Sequence, residues 1–561
     1  MPSFRGYPYP RRALQASCLA LGLVLPGLMM TAAPTYAHTA SPTDLAVANR
    51  IAFGLSPSLV AQIDAQGLDA WLKGQLHPTD DDAGLPPDVA AMIDAMPHLH
   101  KSGDDQVTEI NGLRKKADDA TKAYNAAQAA GAPGSTAPTP AATTPPAPGT
   151  MTTAAAAPAP PPSMPPITGN QVFNTYRGET LTEVQNRRML REIYGRDQLR
   201  EQMAWFWFNH FNVLWDKGDT AYRLADYEDR ALRPHALGKF RDLLEANLRH
   251  PAMQVYLDNV QNASGHINEN YAREIMELHS MGVGSGYSQA DVEALAHILT
   301  GVGYAPPSQV IKVPQAQQAL LIRDGDFVFN PARHDFSDKV FLGQTIKGSG
   351  YAEVEQALDL ICRSPATAHF ISLKLARLYV SDDPPESLVN EMAQRFQDSD
   401  GDVSVVLDYL FHSHAFRQSL KTPLLKDPEH YIVSAMRLAY DDRTVLNPKP
   451  VVNWISQLGE PVYAHVTPDG YPMVRSFWNG PGQIEQRFEI ARNIGFGYNS
   501  LFKPDGVTLP IETTLPDLKE VAERTRLDVA LAAPTQTALT QAKSPGEWNT
   551  LLLASPDFMG R

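Results

Sequence analysis

Three segments of the chain hold residues whose types and spacing could do chemistry. The first is Trp205-Phe206-Trp207-Phe208-Asn209-His210-Phe211. Large rings bury well, so the polar pair Asn209-His210 at the end of that run needs hydrogen-bond partners or a ligand. The second runs from Asn268 to His279. At about 100° per residue along a helix, Asn270, Glu274 and Glu277 fall in one sector, with Arg273 at its edge. His279 falls on the opposite side, with Ala272, Ile275 and Met276. Glu274 and Glu277 could therefore hold a divalent metal ion only with a histidine from elsewhere, such as His210 or His334. The third segment is His334-Asp335, followed by Lys339. It could be an acid–base or ligand element, or a turn closed by an Asx-type hydrogen bond.

These segments nominate His210, Glu274, Glu277, His334 and Asp335 as candidate catalytic residues. They nominate Asn209, Asn270, Arg273 and His279 as candidate binding residues. A divalent ion there would lower the pKa of a bound water, and one carboxylate would serve as general base. The structural alternative makes Asn209-His210 a hydrogen-bonded core pair and Arg273, Glu274 and Glu277 a salt-bridged polar face. Convergence of His210, Glu274, Glu277 and His334 within about 5–6 Å would separate the two. Ser288 and Asp291 read as a capping box and Gly301 as a helix end; His297 shares a face with Glu293 and should be exposed. Asp398 to Asp402 resembles a calcium loop only superficially, since Val403 and Tyr409 stand where its glycine and glutamate would. There is no Gly-x-Ser-x-Gly elbow, Walker loop or His-Glu-x-x-His.

The elements that must position these residues are mainly helices. Short helical patterns occupy 42–77, and a polar helix is expected over 104–130. From Ala126 to Pro166 there is no charged residue, and Ala, Pro, Thr and Gly dominate. Such a stretch reads as a low-complexity linker or insertion that cannot bury a core. The main body then carries a long or broken helix over 187–215. Further helical patterns cover 233–249, 269–281, 289–300, 352–363, 366–378, 385–397, 402–416 and 427–440. Phe327 and Phe329, and then Lys339 to Ile346, read as strands or a hairpin. The expected fold is a mainly α, multi-helix globular domain with a small β-hairpin element. Its parts would be a signal peptide (1–37), an N-terminal helical part (38–125), the linker (126–166) and the main helical body (167–561).

Residues 1–37 have the pattern of an export signal. Arg5, Arg11 and Arg12 precede an uncharged, mostly apolar run from Ala13 to Met30, and Thr35-Tyr36-Ala37 suits cleavage before His38. Arg11-Arg12 also permits a twin-arginine reading. Removing this segment takes the formal charge from -14 to -17 and leaves Cys362 as the one thiol. So acidic a chain argues against a nucleic-acid partner, and a lone Cys excludes an internal disulfide. No later stretch is long and apolar enough for a transmembrane segment in the mature chain. A periplasmic or extracellular location is expected.

The same segments carry a family resemblance. Trp207 to Phe211, His250-Pro251-Ala252-Met253 with Tyr256 to Asn259, Asn268 to Gly282, Gly286 to Val292 with Leu299-Thr300-Gly301, and His334-Asp335 with Lys339 and Leu342-Gly343 resemble the ordered motifs of the bacterial domain-of-unknown-function 1800 family. Arg50 to Gly54 and Ala70-Trp71-Leu72 with Gln75-Leu76 resemble that family's start, and the resemblance covers most of residues 42–500. The chain departs from the pattern at His297, where the family usually has Arg, and at Val302, where it usually has Trp. The resemblance implies an exported, largely helical bacterial protein of unestablished activity. It also implies a possible partner, because members are often encoded beside a family whose fold is similar to the phosphatase and sulfatase group. The expected role is an envelope-associated binding or accessory protein, for that partner or a glycan. The alternative is a metal-assisted hydrolase of an extracellular or envelope polymer.

Overall fold

The computed structural model describes residues 39–79, 82, 84–131, 165–508 and 514–561. The expected signal segment lies outside the described residues, as do residues 132–164 of the expected linker. The fold is mainly α with two small antiparallel sheets, as the sequence predicts.

Local chemistry accounts for many of the boundaries. Ser41 and Ser56 cap the helices Pro42–Ile51 and Pro57–Gln66, each with Pro in the first turn. The expected polar helix runs over Gly103–Gly131, so residues 126–131 continue it rather than open the linker. Thr168 and Gln171 form a capping box that starts the helix Gly169–Tyr194. The chain breaks at Gly195 and resumes as Gln198–His210, which resolves the long pattern over 187–215 into two helices. The pattern over 233–249 also divides, into a short turn at Arg233–His235 and the helix Phe240–Arg249. Just before it, Tyr227–Leu232 forms a π-helical turn.

The capping box of Ser288 and Asp291 starts the helix Gln289–Ile298 as expected. Strands β1 (Val302–Tyr304), β2 (Ile322–Asp324) and β3 (Phe327–Phe329) pair antiparallel in the order β1-β3-β2. Strands β4 (Lys339–Phe341) and β5 (Gln344–Ile346) form the expected hairpin. Its two-residue turn has positive φ at both Leu342 (47°) and Gly343 (75°), the twist a tight hairpin requires.

One continuous apolar core joins the N-terminal helices to the main body, from Leu45 and Trp71 through Trp207 and Tyr431 to Leu553. Phe53 packs on His430 with ring centroids 4.6 Å apart. A separate small cluster of Ile110, Tyr176 and Tyr222 sits where the helices Gly103–Gly131 and Gly169–Tyr194 meet the turn Thr220–Arg223.

Candidate functional site

The aromatic run of the helix Gln198–His210 is core, and its polar atoms find partners inside. Trp207 Nε1 donates to the Ala236 carbonyl (2.9 Å) and Trp205 Nε1 to Glu429 Oε2 (3.0 Å). Beneath it, buried Arg188 approaches Glu192 (2.9 Å), Glu429 (2.8 Å) and Glu228 (3.5 Å). One guanidinium does not neutralise them all. Burial and the neighbouring acids raise the carboxyls of Glu192, Glu429 and the adjoining Glu460 above the usual range.

Asn209 acts as a clamp. Its Nδ2 donates to the Tyr471 carbonyl (2.9 Å), and Tyr471 N donates to its Oδ1 (2.6 Å). Asn212 Nδ2 donates to the carbonyls of His465 (3.0 Å) and Thr467 (2.8 Å). Together they fasten the loop that carries Asp469 onto the end of the helix. Gly470 has φ +74°, and a Cβ there would fall 2.0 Å from the Asn209 carbonyl oxygen; only glycine permits that approach.

His210 is buried and uses both ring nitrogens. Nε2 faces the His279 carbonyl oxygen at 3.0 Å, so Nε2 donates there. Nδ1 is then free to accept from Lys374 Nζ at 2.7 Å. Burial and the Lys374 charge push His210 well below the usual imidazole range. Burial lowers the Lys374 amine to about 8, against the pull of Asp469. His279 is fully buried beside Phe211 (centroids 5.0 Å apart) and is pushed down to about 3 by burial.

The helix Asn270–Glu277 is organised by its own neighbours. Asn268 Oδ1 accepts from Asn270 N (3.0 Å), and Asn270 Nδ2 donates to the Leu257 carbonyl (3.2 Å). Arg273 bonds Glu269 (3.1 Å), Glu277 (3.3 Å) and Gln289 (2.9 Å), the salt-bridged face named above as the structural alternative. Glu274 differs. It is half-buried, and among the described residues its side chain has no hydrogen bond or ion pair. Burial and the charges of Glu277 and Asp469 raise its carboxyl. Glu274 thus feels the charges of Glu277 and Asp469, and Asp469 also acts on Lys374, which bonds His210 at the end of the helix Gln198–His210.

His334 and Asp335 belong to a different, closed knot. His334 Nδ1 faces the Thr300 carbonyl (2.7 Å) and Nε2 faces Glu353 Oε1 (2.9 Å). Lys339 Nζ donates to Glu353 Oε2 (2.6 Å), and the backbone N–H groups of Ser349 (2.7 Å) and Gly350 (2.9 Å) donate to Oε1. Burial raises the Glu353 carboxyl, but the bonds from His334 and Lys339 outweigh it and hold the carboxyl below the usual range. Asp335 accepts from Ser337 N (2.9 Å), the expected Asx turn, and pairs with His297 Nδ1 at 2.6 Å. His297 is therefore a half-exposed partner of Asp335 rather than a free surface residue. The knot ties the β4–β5 hairpin to the helices Gln289–Ile298 and Tyr351–Arg363.

The candidates therefore divide. His210 through Lys374, and Glu274 and Glu277 through Asp469, belong to one charge cluster, whose loop Asn209 fastens; His334 and Asp335 are locked elsewhere by Thr300 and Glu353. The four-residue convergence that a metal site would need is not made, because both nitrogens of His334 already face Thr300 and Glu353. Among the described residues no group of three or more His, Cys, Asp or Glu is arranged to hold a metal ion. The donor set does not fit a divalent ion, and no step is derived through one. Sequence reasoning missed Lys374 and Asp469. Lys374 sits in an ordinary amphipathic helix, Pro365–Tyr379, with no motif around it. The signal near Asp469 was the adjoining Gly470-Tyr471-Pro472.

Residues 46–560 match the sequence pattern of the family described as "Protein of unknown function (DUF1800)". No curated protein and no solved structure matches the chain.

Proposed function

The chain belongs to the DUF1800 family, and we propose that it acts outside the cytoplasm, in the bacterial envelope, as a binding or accessory protein. In this reading the acidic cluster of Glu274, Glu277 and Asp469 docks a partner protein. The observation that carries it is Glu274, a half-buried carboxyl with no side-chain partner among the described residues, beside two further acids. A half-buried carboxyl without a bonding partner is partly desolvated, and a cationic side chain from a partner would relieve it. Most of the other motif residues are engaged in internal bonds, which suits a scaffold better than a catalyst. The export pattern of residues 1–37 supports the location. Among the described residues no helix is long and apolar enough to cross a membrane.

The partner proposed is the neighbouring phosphatase- or sulfatase-like protein. Purified mature chain and that protein, measured by biolayer interferometry, should bind, and Glu274→Lys should weaken binding at least tenfold. Cell fractionation with N-terminal sequencing should recover a periplasmic or extracellular chain starting at His38. A full-length cytoplasmic chain, or binding indifferent to Glu274→Lys, would remove the reading.

One observation favours a hydrolase as the second reading. Lys374, with its amine lowered to about 8 and bonded to His210, could exchange protons near neutral pH. Lys374→Arg keeps the charge and removes that exchange, so it should abolish turnover on an envelope polymer while keeping the wild-type circular dichroism spectrum.

A further inference from the structure

A cleft of about 350 Å³ shares no residue with that acidic cluster. Its walls come from the π turn Tyr227–Leu232, the helix Phe240–Arg249 and the β2–β3 turn. The volume lies at the small end of the ~300–1,000 Å³ usual for small-molecule sites. The chemistry of the wall is mixed: Arg230 and Arg249 alternate with Asp242, Asp324 and Asp326, and His235 stands among them.

Part of this wall is fixed in advance. Arg249 bonds Asp324 at 2.7 Å, lies 3.6 Å from Glu245 and stacks over the Phe327 ring at 4.5 Å. Other groups remain free to meet a ligand. Among the described residues the His235 and Asp242 side chains make no hydrogen bond, and Asp326 has only a 4.0 Å contact with Arg223. Burial keeps His235 below the usual imidazole range, so its ring can donate from one nitrogen and accept at the other. Burial and nearby Asp104 raise the Asp326 carboxyl. The π turn supplies Arg230, and such turns are rare and frequent at functional sites.

The ligand class follows from the wall. A simple anion would meet the carboxylates of Asp242, Glu245, Asp324 and Asp326. A simple cation would meet two guanidinium groups. A sugar hydroxyl both donates and accepts, so it can satisfy a carboxylate and a guanidinium at once. We propose that this cleft binds a neutral saccharide, with Asp242, Asp326 and His235 bonding its hydroxyls and Arg249 setting its orientation. The proposal goes beyond the docking cluster and does not depend on it.

The test is the full mature chain on a glycan microarray carrying neutral and charged sugars, with spermidine and inorganic phosphate as competitors. Neutral glycans should be retained, and neither competitor should displace them. Competition by the same sugar free in solution then separates a soluble oligosaccharide from a polymer end, since only the former competes fully. The double variant Asp242→Asn with Asp326→Asn should lose at least tenfold in affinity while keeping the wild-type circular dichroism spectrum. Arg249→Lys provides a second variant that keeps the charge and loses the fork. Retention of charged glycans alone, retention of none, or undiminished binding by both variants would overturn the proposal.

Discussion

Lys374 donates a 2.7 Å hydrogen bond to Nδ1 of His210 across 164 residues of sequence, and the same imidazole donates from Nε2 to the His279 carbonyl. The bond fixes the tautomer of His210 and holds an amine of lowered pKa within the field of Asp469. The amine stays strongly bonded whether or not it carries its extra proton, because it donates in both states.

Lys374 should therefore leave a signature in stability against pH. Its folded value is about 8 and its ordinary value 10.5. Between these values the unfolded chain binds more protons than the folded one, so stability rises with pH there. Urea unfolding of wild type and Lys374→Met should diverge in favour of wild type from about pH 8 to about 10.5. A difference independent of pH would show an ordinary lysine.

The acids around Arg188 predict the opposite slope. Glu192, Glu429 and Glu460 are all raised above their ordinary 4.5, so the folded state holds their protons longer than the unfolded chain. Stability is then greatest at and below that ordinary value and falls as pH rises through the folded values. Glu460→Gln should flatten this slope and stabilise the protein by on the order of 1 kcal/mol at pH 8. Denaturant midpoints measured from pH 5 to pH 8 check it.

Glu353 should prove structural. Its two oxygens serve His334, Lys339 and two backbone N–H groups, all out of water. Glu353→Gln leaves the buried Lys339 ammonium without its counter-charge and should cost about 3–5 kcal/mol. Adding Lys339→Met to that background should recover part of the loss, a coupling that a double-mutant cycle measures. A loss below about 1 kcal/mol would contradict the lock.

The clamp at Asn209 can be tested through two glycines. Gly470 and Gly265 both have positive φ, +74° and +83°, but only Gly470 would place a Cβ against a neighbour. Gly265→Ala should cost about 1 kcal/mol from backbone strain alone. Gly470→Ala should cost clearly more and expose the loop around His465 to Tyr471 to limited proteolysis. Equal losses would mean that the loop does not bear on Asn209.

Divalent metal removal should change nothing in the fold, since the described carboxylates and histidines do not gather in threes. Melting curves before and after chelation should superimpose, and elemental analysis should find no stoichiometric ion.

Much of the fold was legible because it is locally encoded. Ser288 with Asp291 specified a helix start and Lys339 to Ile346 a hairpin, each within a few residues. Helical geometry alone also put Asn270, Glu274 and Glu277 on one face and His279 on the other; the structure leaves Asn270 exposed, Glu274 and Glu277 half-buried, and His279 buried. What sequence could not decide was which distant groups those faces meet. His334 could face a metal or a glutamate, and only packing brings Glu353 under it. His210 meets Lys374 rather than His334 because the helix Pro365–Tyr379 crosses the end of the aromatic helix. Glu274 feels the charge of Asp469 because the asparagines at 209 and 212 hold that loop in place. Spacing along the chain determines the faces of helices and the ends of turns; the burial of a continuous core determines which charges face one another, and with them the acidic cluster.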